Sequence, residues 1–78
     1  MITRENLKDV INSLSDSAKK RILNSSKEYV VLYLHVFNVG SYVTIRLTDD
    51  YRRYINVSNN GNAILCTQDV QDLLNDMI

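Results

Sequence analysis

Apolar residues recur at helical spacing near the start of the chain. Four of them stand at i, i+3, i+4 and i+7, the spacing that places side chains on one stripe of a helix. These four are Leu7, Val10, Ile11 and Leu14. Thr3 precedes them, and threonine is a favourable N-cap residue. The pattern therefore predicts a first helix with one apolar side.

The stretch after Leu14 fits either a second helix or a continuation of the first. The segment Ser15-Asp16-Ser17 is typical of a new helix N-terminus, and Ala18, Ile22 and Leu23 then supply an apolar side. The apolar residues also sustain one unbroken stripe, and only weak helix formers stand at the join. We favour a break near Ser15, and thus a helix pair.

Two long segments rich in β-branched and aromatic residues follow, at 29–37 and 42–48. The residues between them include Gly40, which permits a tight reversal, so the two segments predict a β-hairpin. A shorter third strand is predicted at 54–58. Asn60-Gly61 is a strong signal for a two-residue hairpin turn and leads to a fourth strand at 63–66.

The end of the chain again shows helical spacing, with Thr67 as the predicted N-cap. The apolar positions of this last helix are Val70, Leu73, Leu74, Met77 and Ile78. The prediction is one α+β domain over residues 1–78. It has an N-terminal helix or helix pair, a four-stranded antiparallel β-meander, and a C-terminal helix packed on the same sheet face.

The register of the first hairpin decides which side chains share a face, because a slip of one residue exchanges the two faces. With Val39-Gly40 as the loop, Val36 is expected opposite Val43, and Leu34 opposite Ile45. This aliphatic inner face needs the helices as a cover. With Asn60-Gly61 as the second turn, Ile64 and Cys66 are expected on the inner face and Ala63 and Leu65 on the opposite one.

The opposite side of the sheet, called the outer face below, is rich in aromatic residues. Its candidate binding residues are Tyr33, His35, Phe37, Tyr42, Arg46 and Tyr54. Three explanations fit such a face. The second helix lies across it, the tyrosines are half-exposed with their hydroxyls in water, or the face binds a partner or a second copy.

Composition narrows the functional classes. With 45% hydrophobic and 23% charged residues the chain is expected to fold. Its formal net charge is zero, so it lacks the overall electrostatic attraction typical of proteins that bind nucleic acids or anionic membranes. The single cysteine cannot form an internal disulfide. No leader-like segment or apolar run long enough for a membrane span is evident, so a cytoplasmic location is predicted.

The sequence offers little for catalysis. His35 is the only histidine, and no acidic residue on the outer face is expected to orient its ring. Cys66 is predicted to point inward as an inert thiol. One histidine and one cysteine are too few for a typical zinc site, and both glycines are assigned to turns. The prediction is therefore no enzyme activity, no cofactor and no metal.

The resulting hypothesis is a small non-enzymatic protein-interaction module. Its expected partner is a second copy, forming a C2 homodimer through the outer face, or a larger host protein. The alternative is a protein that binds single-stranded nucleic acid, with Tyr33, Tyr42 and Tyr54 stacking on bases and Arg46 supplying charge. No membrane partner is predicted.

Overall fold

The computed structural model describes residues 1–77 and, within them, every side chain except those of Asn59 and Asn60. In chain order the elements are α1 (Leu7–Asn12), α2 (Asp16–Leu23), β1 (Tyr29–Phe37), β2 (Gly40–Thr48), β3 (Ala63–Cys66) and α3 (Thr67–Asp76). Two short 3-10 turns, Tyr51–Tyr54 and Val57–Asn60, lie between β2 and β3. The α+β class is confirmed.

The N-terminal region is a helix pair, as the break predicted near Ser15 requires. The Ser15 hydroxyl accepts a hydrogen bond from the Ala18 N–H at 3.1 Å, which caps α2. Thr3 and Asn6 bond reciprocally before α1, each side chain accepting from the other's backbone N–H. These bonds order the turn that precedes α1, and the N-cap residue of α1 itself is Asn6 and not Thr3.

The prediction of a four-stranded meander is wrong. The described residues form a three-stranded antiparallel sheet in the order β2-β1-β3. The predicted third strand at 54–58 lies instead within the connection that contains the 3-10 turns. β3 pairs with β1 rather than with a neighbour across Asn60-Gly61, and Gly61 ends the second 3-10 turn with a φ of 82°.

The hairpin between β1 and β2 is confirmed, but its register differs by two residues from the predicted one. Phe37 pairs with Gly40, so Asn38 and Val39 form the loop, and Leu34 lies opposite Val43. Both loop residues have negative φ, and the positive φ of 150° falls on Gly40. Because a two-residue shift preserves the alternation, the face assignments for these two strands hold.

For β3 the predicted faces are reversed. Ala63 pairs with Leu32 and Leu65 with Val30, and both β3 residues pack against the core on the inner face. The prediction that Cys66 points inward is wrong, because Cys66 is exposed. The error follows from the turn: with no hairpin at Asn60-Gly61, nothing holds β3 in the parity that such a turn imposes.

All three helices cover the inner face. The buried core consists of Ile11, Leu14, Ile22, Val30, Leu32, Val70 and Leu74. Since Ile22 of α2 belongs to this core, the explanation in which the second helix lies across the outer face is wrong. The Gln71 side chain of α3 donates to the Ile22 carbonyl at 2.8 Å and so ties α3 to the end of α2.

The last helix begins one residue earlier than an N-cap at Thr67 would require. Thr67 is its first residue, and the Thr67 N–H donates to the Glu28 carbonyl at 2.9 Å. The predicted contribution of Ile78 lies outside the described residues. At ten residues α3 is the longest described helix, and none of the described helices has the length and apolar character needed to cross a bilayer.

Candidate functional site on the outer face

The connection between β2 and β3 covers one end of the outer face. These strands flank β1 on opposite sides, so residues 49–62, which connect them, pass across β1. The Tyr51 ring lies 5.3 Å from the ring of Tyr29, an outer-face residue of β1. Val31, two positions further along this face, is fully buried. Because the helices lie on the inner face, residues 49–62, here called the crossover, supply that burial.

Polar contacts fix both ends of the crossover. At its start the Asp49 carboxylate accepts from the Glu28 N–H at 3.0 Å and from Lys27 Nζ at 3.2 Å. These contacts lower the pKa of Asp49 below its ordinary value, the backbone hydrogen bond contributing most. At its end the Asn62 side chain accepts from the Leu34 N–H at 2.7 Å and donates to the Val57 carbonyl at 3.0 Å.

Tyr29 lies under the start of the crossover, half-buried beside Tyr51. Burial raises the pKa of its phenol above the ordinary value, and the neighbouring Glu28 carboxylate adds to the effect. The neutral phenol is therefore the favoured form in the folded protein. This end of the outer face is a packed surface and not an open one.

Beyond the crossover the hairpin continues as an arm, defined here as residues 34–43. β3 pairs with β1 only as far as Leu32, whereas the hairpin runs on to Phe37 and Gly40. The arm carries large apolar side chains that stay in water, with exposed fractions of 74% for Val36, 49% for Phe37, 88% for Val39 and 53% for Tyr42. Neither the helices nor the crossover covers its tip.

Three rings form an aromatic stack on the outer face of the arm. His35 and Tyr42 lie directly opposite each other in the β1–β2 pairing, and their rings are 4.5 Å apart and nearly parallel, at 12°. Phe37 also contacts Tyr42, with ring centroids 5.8 Å apart and planes tilted by 58°. His35 Nε2 lies 2.8 Å from Thr44 Oγ1, a hydrogen bond that fixes the imidazole plane.

The structure brings together half of the predicted binding residues. His35, Phe37 and Tyr42 form the aromatic stack. Tyr33 is half-buried and pairs with Thr44. Arg46 is exposed on the same face but lies opposite Val31.

Tyr54 is not a strand residue. It ends the first 3-10 turn of the crossover and is half-buried there. Sequence reasoning also missed the exposed tip residues Val36 and Val39. A signal for them was present, because the segment at 29–37 has nine residues and the segment at 63–66 has only four, too few to pair along its whole length.

The chemistry of the outer face is that of a contact surface. The His35 ring is engaged with Thr44 and Tyr42, and no carboxylate bonds to it among the described residues. The part of the chain that the structure describes holds no group of three His, Cys, Asp or Glu side chains placed to bind a metal ion. An exposed stack of rings offers apolar area, ring faces and few polar groups.

No protein-family model, curated protein or solved structure matches the chain, and its function is therefore inferred from its own surface.

Proposed function

We propose that this protein is a non-enzymatic interaction module that self-associates through its hairpin arm. The observation that carries the proposal is the exposed aromatic stack of His35, Phe37 and Tyr42, which extends beyond the helix-covered body. Aromatic side chains dominate the energetics of protein interfaces because each combines a large apolar area with few rotatable bonds.

The apolar area at the arm supports a contact with another protein. An aromatic side chain buries about 150–250 Å² when fully covered, so the half-exposed Phe37 and Tyr42 each leave on the order of 100 Å² in water. Val36 and Val39 add to the apolar surface at the same tip. Because Val36 lies on the inner face and Phe37 and Tyr42 lie on the outer one, the tip of the arm exposes apolar area on both sides of the hairpin.

The arm is also ordered before any partner arrives. The hydrogen bond from His35 to Thr44 and the stacking on Tyr42 hold the rings in one arrangement. Side chains that are already fixed lose less rotamer entropy on binding. The stack therefore supports affinity through preorganisation as well as through area.

The test of self-association is sedimentation equilibrium of the whole chain at tens of micromolar. We expect a monomer–dimer equilibrium, and Tyr42→Ser weakens it about tenfold or more because it removes an aromatic side chain from the centre of the stack. The matched control is Ile55→Ser. Ile55 is an equally exposed apolar residue, at 55%, but lies in the crossover, away from the arm.

A wild-type chain that stays monomeric through this range contradicts self-association. So does an Ile55→Ser variant that weakens the dimer as much as Tyr42→Ser, because the arm then has no special role. In each case circular dichroism spectra must match the wild type, so that loss of folding is not read as loss of contact.

Single-stranded nucleic acid is the competing ligand class, since Tyr42 and Arg46 are both exposed on the outer face. Fluorescence anisotropy with a labelled oligonucleotide at low salt distinguishes nucleic-acid binding from self-association. Binding that weakens in Tyr42→Ala and Arg46→Ala and falls with salt favours the nucleic-acid function.

The cytoplasmic location stays a prediction, as does a larger host protein as partner.

A further inference from the structure

β2 lies at one edge of the sheet, and its backbone groups on that side have no strand partner among the described residues. The Leu34 N–H and the Glu28 carbonyl bond toward the β3 side of β1. Peptide groups alternate in direction along a strand, so even-numbered residues of β1 face β3 and odd-numbered ones face β2. Their partners in β2 are the even-numbered residues.

The odd-numbered residues of β2 therefore direct their N–H and C=O groups to the open edge. They are Ser41, Val43, Ile45 and Leu47. Proteins usually block such an edge with lysine, proline, a bulge or a short strand. β2 is nine residues long, contains neither lysine nor proline, and pairs with β1 in an unbroken register. Arg46 is its only charged residue, so this edge is open to strand pairing.

We infer that β2 pairs antiparallel with β2 of a second copy, about a two-fold axis at Thr44. This inference rests on the self-association proposed above; of the aromatic stack it places Tyr42 in the contact, while His35 and Phe37 lie one strand further from the axis. Thr44 is the midpoint of Gly40–Thr48, so Val43 lies opposite Ile45 of the second copy. Each free N–H and C=O of the edge then finds a partner. A register centred on Val43 or Ile45 overlaps less of the strand and leaves terminal groups unbonded.

The side chains agree with this register. On the outer face Tyr42 lies opposite Arg46 of the second copy, a favourable arrangement of a guanidinium beside an aromatic ring. On the inner face Val43 meets Ile45, an apolar pair. The two Arg46 residues stand four positions apart in the paired strands, about 14 Å, so their mutual repulsion is small.

The size of the contact predicts a reversible dimer. A nine-residue strand is about 30 Å long, and pairing it with side chains on both faces buries on the order of 1,000 Å² in total, near the lower limit for specific interfaces. The two-fold axis is perpendicular to the sheet. Both outer faces therefore lie on the same side of one continuous six-stranded sheet, and the two aromatic stacks share that surface.

Disulfide trapping tests the register. The variant Thr44→Cys is made in a Cys66→Ser background, because Cys66 is the only native cysteine and is exposed. Thr44 falls at a non-hydrogen-bonded pair, where Cα atoms lie about 4.5 Å apart, within disulfide reach. We expect mild oxidation to give a covalent dimer. Arg46→Cys is the matched control, since its two copies lie too far apart to bond.

Charged substitutions at the same position provide a second, independent test. Thr44→Lys and Thr44→Glu each place two like charges face to face across the axis, so each variant alone is expected to be monomeric. An equimolar mixture restores dimers, because a lysine then meets a glutamate. Circular dichroism of each variant controls for folding. Each variant also loses the Thr44–His35 hydrogen bond, so recovery of dimers in the mixture separates charge repulsion from the loss of that bond.

The two proposals fail in different ways. A wild-type dimer in sedimentation, together with no trapping of the Thr44→Cys variant and dimers in both charge variants, overturns the edge pairing and leaves self-association standing. Equal trapping of the Thr44→Cys and Arg46→Cys variants also overturns the register. A wild-type chain that is monomeric at every concentration overturns self-association itself, and the edge pairing with it.

Discussion

Two hydroxyl groups at helix starts show how much depends on one position. Ser15 stands just before α2 and accepts a hydrogen bond from the Ala18 N–H. Thr67 stands one residue inside α3, where its hydroxyl is buried and has no hydrogen-bond partner among the described residues. Serine and threonine both favour N-cap positions, but only Ser15 caps its helix.

This difference predicts opposite results for two substitutions. Ser15→Ala is expected to lower the free energy of unfolding by about 1 kcal/mol, the usual effect of losing a side-chain cap. Thr67→Val keeps the shape and removes a hydroxyl that is buried without a partner, so it is expected to be neutral or to stabilise by up to about 1 kcal/mol. Urea denaturation measures both. A loss of about 1 kcal/mol in Thr67→Val means that the hydroxyl does cap α3.

At the level of elements, Asn62 connects the crossover to the central strand. Its side chain accepts from the Leu34 N–H and donates to the Val57 carbonyl, where β3 is too short to supply a partner for Leu34. The amide thus ends the β1–β3 pairing at the point where the arm begins. Without it, a half-buried N–H of the central strand has no acceptor.

Asn62→Ala is therefore expected to lower stability by about 1–2 kcal/mol, because it leaves the Leu34 N–H without a partner. Asn62→Asp is the matched control, since it keeps the acceptor for the Leu34 N–H while it loses the donor to the Val57 carbonyl and adds a charge. Hydrogen exchange of the Leu34 amide provides the readout. We expect fast exchange in Asn62→Ala and retained protection in Asn62→Asp. Equal protection in both variants would show that the side chain does not hold this amide.

The elements also show what sequence patterns can specify. The break at Ser15 and the sharing of faces in the first hairpin were predictable, because capping residues and the two-residue alternation are local signals. The exact hairpin register was not. Loops at 38–39 and 39–40 place Gly40 directly after the loop or within it, and both keep the apolar residues on one side. Nothing local separates registers that differ by two residues.

The strand order depended on long-range packing that local patterns do not contain. Residues 54–58 alternate well enough for a strand, but this part of the chain folds into 3-10 turns, and β3 occupies the edge beside β1. One signal was available. Val30, Val31 and Leu32 are consecutive apolar residues, all fully buried, and such runs are typical of a strand covered on both faces and flanked on both sides.

The molecule as a whole divides into a packed body and a projecting arm, and β1 belongs to both. Val30 and Val36 lie on the same strand and the same inner face. Val30 is fully buried in the core, whereas Val36 is 74% exposed. A chain of 78 residues has a small core and a narrow stability margin, so the difference between these two valines has a measurable consequence.

The same substitution at both positions tests this division. Val30→Ala is expected to lower the free energy of unfolding by roughly 1.5–3 kcal/mol, since it removes two buried methyl groups and leaves a cavity. Val36→Ala is expected to change stability by less than about 0.5 kcal/mol, because its side chain already lies in water. Urea denaturation at concentrations below self-association measures both. Similar losses at the two positions would mean that the arm is packed against the body in solution, and an arm so packed is not free to meet a second copy.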